Sequence, residues 1–512
     1  MAQYLSPGHY VVERAPETPT IAGTSISTVG LVGVCQKGPI GKPTLITNWT
    51  EFVNVFGGLY DKGWVGYAAY LIFQNANGAR IYVVRTAHYT NIDDASTLVA
   101  KKATITIKDR NTTAANTLKV EAANEGTWGN ALKIVIANGS TTTSFNLTVL
   151  ETVNGVDYTR EQYTDLNLDA TSSNYVETVI NNQSKYITVT NMFSSSPSPN
   201  NLPAVGTYQL AGGNDGLTGI TDTDYVGSAT SKTGLYAFDT IDDGLILAIP
   251  GIATSTVHNG LLNYATQRGD SFAVLDSPFG LSASDIVNYV IKTANLNSSY
   301  GAIWWPNVKI TDPLTGLAKV VPASGAVIGA MVRTDNTTFK GVYKVPAGVE
   351  DGKLYGVIDV ETSEVNEKAK RDVVYPNRIN PIAVFSGYGV LAYGARTLDA
   401  TGQMPYINER RTMMYCEKSI VRGTQWVEFE NNDERLWGRI VRSITGFLLT
   451  VWNEGGLKGS TPDEAFFVKC DAETNPPENI ERGILTARIG LALQKPAEFI
   501  VFEFSQKTQA SQ

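Results

Sequence analysis

At 512 residues the chain is long enough for about three domains of ~150 residues each. With 43% hydrophobic and 18% charged residues it can bury sizeable cores, which excludes a disordered protein. A formal net charge of −8 argues against nucleic acid as a direct partner, and the longest apolar runs, such as GFLLTVW (446–452), fall far short of the ~18 residues of a membrane span.

The opening stretch, MAQYLSPGHYVVERAPE, carries no apolar core of a secretory signal. Residues 4–26 are rich in Pro, Thr and Ser around a short strand-like YVVER, the composition of an extended arm. ISTVGLVGV (26–34) predicts a first core strand. A helix follows with Asn48 or Thr50 as its cap, and WVGYAAYLIFQNANGARIYVVRT reads as helix, Asn77-Gly78 turn and buried strand. Helix, short turn and strand in succession argue for α/β layering.

Near Ser96 the composition shifts. As far as Gly213 the chain is rich in Thr, Asn and Ser, with alternating runs such as ATITIKD, NTLKVEA, ALKIVIA, SFNLTVLE and SKYITVT, punctuated by Asn138-Gly139 and Asn154-Gly155. This predicts an all-β domain, a sandwich, inserted into the α/β part. From Asp224 the α/β character returns: a helix near Tyr225, the strand LILAIPG, a helix over His258 to Arg268, the strand SFAVLDSP, and AIWWPNVKI after a further helix. The last hundred residues are dense in Trp and Phe and end on the strand-like EFIVFEF (498–504). Such a strand either folds back or is donated to a neighbour, because its unpaired backbone groups template further pairing.

Catalytic chemistry finds little footing. Of the three histidines, His9, His88 and His258, none stands in HExxH or in paired metal-ligand spacing. No GxSxG elbow appears. Cys35, Cys416 and Cys470 are scattered without CxxC spacing, which fits neither a disulfide framework nor a zinc site and suggests a reducing compartment. Gly33 to Gly38 has phosphate-loop spacing, but Pro39 stands where the lysine belongs. Gly387-Tyr388-Gly389 follows an apolar run without a clear helix after it, so it reads as a close-packed bend rather than a dinucleotide fingerprint. Asp93-Asp94 and Asp242-Asp243 lie in turns and lack the apolar surroundings that would raise a carboxyl pKa for hydrolysis. No cofactor is implied.

Across nearly its whole length the chain resembles the contractile tail sheath proteins of bacteriophages and related contractile injection particles. The motifs that carry this, in order, include SPGHYVVER, STVGLVGVCQKGPIGKPTLITNWTEFVNVFG, NGARIYVVR, NEGTWGNALKI, LAGGNDG, RGDSFAVLDSP, SSYGAIWWPNVKITDP, VPASGAVIGAMVRTD, QWVEFENNDERLW and TPDEAFFVKCD. One local departure is VRTDNTTFKGVYKVPAG, with extra Thr and Tyr343 where the family commonly shows Gly or Trp after the Asp and before the Pro-Ala-Gly.

Together the residues and the resemblance imply an α/β and α+β multidomain chain. Its parts are an arm (1–25), a central α/β core (26–95 with 214–395), an outward-facing inserted β-domain (96–213), an inner α+β domain (396–495) and a second arm (496–512). The resemblance implies a subtilisin-like fold for the core, though fold does not carry proteolysis with it. It also implies hexameric rings, six subunits each, stacked around an inner tail tube protein and contracting to drive that tube through a cell envelope. Baseplate and tail terminator proteins are further implied partners, without direct nucleic-acid contact or membrane insertion, in a virion assembled in the bacterial cytoplasm. A headless particle, such as a phage-tail-like bacteriocin, is the alternative within this class, and a hydrolase using the α/β domain is the alternative outside it. Tyr10, Val11 and Val12, and Phe499, Ile500, Val501, Phe502 and Phe504, are the expected strand donors to neighbouring subunits. Arg435, Arg439 and Arg442, at i, i+4 and i+7 of a helix expected over Asp433 to Trp452, form a candidate tube-facing stripe. Arg410 and Arg411 are the second candidate for that contact.

Overall fold

Thr28–Gly33 is buried at all six positions and forms β1, as an uninterrupted apolar run should in the interior of a parallel sheet. The computed structural model describes residues 20–193, 199–337 and 341–501. The chain forms two compact units: residues 26–411, and the described parts of 1–25 and 412–512.

In the first unit β2 (Thr44–Ile46) and β3 (Ile81–Arg85) follow β1, with helices Trp49–Phe56 and Val65–Asn75 between them. Asn48 caps the first of these, its side chain accepting from Glu51 N. The next strands lie in the insert: β4 (Thr104–Lys108), β5 (Asn116–Ala122), β6 (Leu132–Asn138), β7 (Phe145–Val153), β8 (Val156–Leu166), β9 (Ile187–Asn191) and β10 (Gly206–Gln209). Then come β11 (Leu245–Ala248), β12 (Ser271–Asp276), β13 (Gly301–Trp305), β14 (Val308–Thr311), β15 (Ala318–Val321), β16 (Asp359–Val360), β17 (Ile379–Phe385) and β18 (Gly389–Ala392). The main sheet has eight strands in the order β18-β17-β13-β12-β11-β1-β3-β2. Its six inner strands pair in parallel, and only the edges β18 and β2 run antiparallel. The Gly387-Tyr388-Gly389 bend is the turn of the β17–β18 hairpin, with both glycines at φ 82° and 85°.

The insert holds a four-stranded sheet, β10-β6-β7-β8, and a three-stranded sheet, β4-β5-β9. Alternating inward residues of both, among them Leu118, Val120, Ile134, Leu147, Val149 and Ile187, close one shared core. Asn154 (φ 51°) and Gly155 (φ 81°) make the left-handed pair that a two-residue β7–β8 hairpin requires. The insert is not all-β. Helix Val176–Gln183 buries Val176 and Ile180 against this core, using an apolar spacing of four that is too short to stand out in TSSNYVETVINNQ.

The C-terminal boundary also moves, from residue 396 to Arg411. Arg411 belongs to the first unit because its guanidinium forks onto Asp335, at the end of helix Ser324–Asp335, with N–O distances of 2.9 and 2.5 Å. Both side chains are sealed from water, at 1% and 3% exposure.

The second unit contains the greater part of helix Ile407–Gly423, then helix Glu434–Asn453 and a two-stranded antiparallel sheet of β19 (Phe466–Lys469) and β20 (Arg488–Leu491). Buried Asn475 ties this region together, donating to Asp471 O and Thr486 O and accepting from Thr486 N at 2.6 Å.

Candidate assembly interface

Helix Glu434–Asn453 starts where a carboxylate can accept from its open N–H groups. Asp433 accepts from Leu436 N at 2.8 Å and lies at the positive end of the helix dipole. Asp433 is the cap, and Asn432 before it accepts from Trp437 Nε1. Leu436, Ile440, Ile444, Phe447, Leu448 and Val451 are buried, as their helical spacing predicts.

The opposite face carries the arginines, but they are not equivalent. Arg435 and Arg442 are exposed. Arg439 is engaged: its guanidinium lies 4.3 Å from the Trp426 ring centre and 3.4 Å from Glu430. Among the described residues, Arg435 and Arg442 thus stand clear of local partners, and Arg439 does not.

The second candidate pair does not face solvent, which corrects that expectation. Arg411 is committed to Asp335, and Arg410 is 8% exposed with its guanidinium over the Tyr300 ring. Two adjacent arginines read as a surface patch in sequence, but a buried carboxylate and an aromatic face had already claimed them.

The described residues just before the first core strand pack within the second unit. Ile21 and Thr24 are buried, and Thr24 N donates to Ser419 Oγ at 2.9 Å. A Cβ on Gly23 would lie 2.0 Å from the Tyr415 hydroxyl, so this segment lies flush on helix Ile407–Gly423 and admits no side chain there. Tyr10, Val11 and Val12 lie outside the described residues, as do Phe502 and Phe504. Phe499, Ile500 and Val501 are described, belong to no strand, and are 78%, 72% and 79% exposed. The β19–β20 pair, which precedes them in the chain, has no third strand among the described residues, and no residue of β20 is buried. Two strands alone make a marginal sheet.

The central unit holds one Ser–Asp pair worth weighing as chemistry. Ser324 Oγ donates to Asp276 Oδ2 at 2.8 Å, while Ser324 N and Gly251 N also donate to that carboxylate. Burial pushes the Asp276 carboxyl up to about 6. The hydroxyl here acts as a donor that ties the helix start to β12. His258 is bonded to the Tyr289 hydroxyl through Nδ1, and burial drives its pKa down to about 3, so it is neutral. His88 is bonded to Asp224. Among the described residues no group of three His, Cys, Asp or Glu could hold a metal ion, and no helix is long and apolar enough to cross a membrane.

Residues 399–507 match the family model described as the phage tail sheath C-terminal domain. The tail sheath protein of Vibrio phage KVP40 is 28% identical over 218 residues, covering 42% of this chain and 31% of that protein. The chain spans 31% to 39% of the length of the first three curated relatives it matches. Among solved structures, the contracted helical sheath of the anti-feeding prophage aligns over 98% of this chain and 100% of its own, at 19% identity and a TM-score of 0.59. A sheath tail protein from Listeria innocua aligns over 93% of this chain and 97% of its own, at 12% identity and a TM-score of 0.61. In sequence the chain is similar to phage tail sheath proteins, and in fold to the sheaths of contractile particles, as its motifs had indicated.

Proposed function

We propose that this chain is a subunit of a contractile tail sheath, polymerising with copies of itself as stacked six-membered rings around an inner tube. The observation that carries this reading is the second unit's unfinished edge. Among the described residues that sheet has two strands, and the apolar segment Phe499–Val501, eight residues beyond its last strand in sequence, is exposed, in a chain similar to sheath proteins. Strands donated from neighbouring copies would complete that sheet, with backbone hydrogen bonds giving affinity and alternate side chains giving register. Tethered exchange lets subunits rotate past one another without separating, which a contraction wave requires. Baseplate and terminator proteins would meet the same surfaces at the two ends of the polymer, within a virion tail. Deleting residues 1–15, or residues 498–512, is expected to leave a folded chain that no longer forms tubes in negative-stain micrographs. Normal tubes from either truncation would overturn the proposal.

On this reading Arg435 and Arg442 face the tube across a polar contact. Individually weak charge pairs suit a surface that must let go during firing. Arg435→Glu with Arg442→Glu is expected to weaken sheath–tube co-assembly roughly tenfold, while tubes of sheath alone persist. Added salt should weaken the wild-type contact in the same direction, because screening shortens the reach of exposed charges. Arg439 is left untouched in this test, since reversing it would also disturb Trp426 and Glu430. Co-assembly at wild-type strength in every salt would remove the stripe from the interface.

A further inference from the structure

Two adjacent arginines at the start of helix Ile407–Gly423 meet opposite circumstances. Arg411 forks onto Asp335, so both its charge and its in-plane N–H groups are answered. Arg410 is 8% exposed, and its guanidinium carbon lies 4.5 Å from the Tyr300 ring centre. Among the described residues it has no ion pair and no side-chain hydrogen bond, and its Nε is sealed from water without a partner.

Tyr300 answers only part of this. An aromatic face attracts the cation but accepts no strong hydrogen bond from it. The attraction is weaker than the cost of taking an unpaired charge out of water. The ring also limits how the guanidinium can turn, so the remaining N–H groups are presented in a restricted orientation. A side chain this deep is reached by one small group, not by a protein face.

We propose that Arg410 is an oxyanion site, taking one carboxylate or phosphate group on the N–H edge of its guanidinium. Arginine suits this role because its parallel N–H groups match two oxygens of either group. Arg411 with Asp335, one residue on, is the completed form of the same chemistry. A neutral ligand is disfavoured, since it would leave the charge unanswered. The oxyanion can come from two sources: a free anion, or an acidic side chain of a second copy of this chain. Only the second source rests on the sheath-subunit reading.

Two measurements on the full chain test the site and separate the sources. In the first, the melting midpoint of the unassembled chain is followed in sodium phosphate and in sodium chloride of equal ionic strength. Phosphate stabilises proteins generally through exclusion from their surface, so the readout is the difference between wild type and Arg410→Met. Phosphate bound at Arg410 is expected to raise the wild-type midpoint by about 2 °C more than that of the variant. Arg410→Lys should lose most of that increment, because a point charge cannot hold both oxygens, and it serves if Arg410→Met folds poorly. In the second, the concentration needed for tubes is compared in negative-stain micrographs. A rise of about tenfold or more in either variant assigns the site to a carboxylate of a second copy. A phosphate increment with unchanged tube formation assigns it to the free anion. Variants that match wild type in both measurements would overturn the proposal. A wild-type chain that forms no tubes would sink the sheath reading instead, and the phosphate comparison alone would then decide this one.

Discussion

Excising residues 102–213 and joining Lys101 to Asn214 through a two-residue Asn-Gly turn is expected to leave the rest of the chain folded. Lys101 and Asn214 already face each other as an antiparallel bridge, each N–H donating to the other's carbonyl at 2.9 Å, so the cut ends need no reach. The insert also closes a core of its own, whose buried members all lie between Ala103 and Leu210. Its seam with the main unit is polar. Buried Arg85, at the end of β3, donates to Gly38 O at 2.8 Å on one side and to Glu125 O at 2.7 Å on the other. Asp215 accepts from Tyr60 Oη on one side and from Thr127 N and Oγ1 on the other. Lys37 lies over the Trp128 and Tyr186 rings at 5.7 and 5.4 Å.

Removing the insert would therefore expose groups that water can satisfy. The loss should be about 2–4 kcal/mol, the worth of a few hydrogen bonds rather than of a core. A cut at 96–213 should do worse. It discards Val99, whose N–H pairs with His88 O, and Ala100, whose backbone and Cβ lie under Gly216. Urea unfolding of both excised chains, and circular dichroism of the isolated 102–213 fragment, check this. A non-cooperative 102–213 excision together with an unfolded fragment would show that core and insert depend on each other. If the excised chain still polymerises, that supports the outward-facing placement.

What was legible in the sequence followed from periodicity and local chemistry. The apolar runs of β1, β11 and β12, the alternation in the insert, the Asn154-Gly155 turn and the buried face of helix Glu434–Asn453 all depend on near neighbours in the chain. What was hidden depends on pairing across distance. Arg439 looks equivalent to Arg435 and Arg442 until Trp426 and Glu430 fold beneath it. Arg85 ends a strand like any polar residue, and nothing nearby signals that its acceptors come from loops 47 and 40 residues away.

Asp335→Ala is expected to cost about 3–5 kcal/mol, because it strands Arg411 in the interior without its counter-charge. That is a large share of the ~5–15 kcal/mol by which a folded domain is usually stable, so the variant should be partly unfolded or aggregate near physiological temperature. Asp335 ends helix Ser324–Asp335, where the helix dipole disfavours a carboxylate. Its position makes sense only with its partners: the Arg411 fork on both oxygens, and Ser27 Oγ donating to Oδ2 at 2.5 Å. Arg411→Lys should also destabilise, since a point charge cannot reproduce the two parallel bonds of the guanidinium. Ser27→Ala removes one of three donors and should cost only about 1 kcal/mol. The informative variant is the double replacement Asp335→Leu with Arg411→Met, which removes both charges and refills the space with apolar volume. It should recover most of the single-site loss, because desolvation had consumed much of the pair's attraction. Urea midpoints in a double-mutant cycle measure this directly. If Asp335→Ala cost less than 1 kcal/mol, water would have to reach Arg411 in the folded chain. A double variant no better than the singles would mean that the pair is needed for its directional bonds rather than for charge balance.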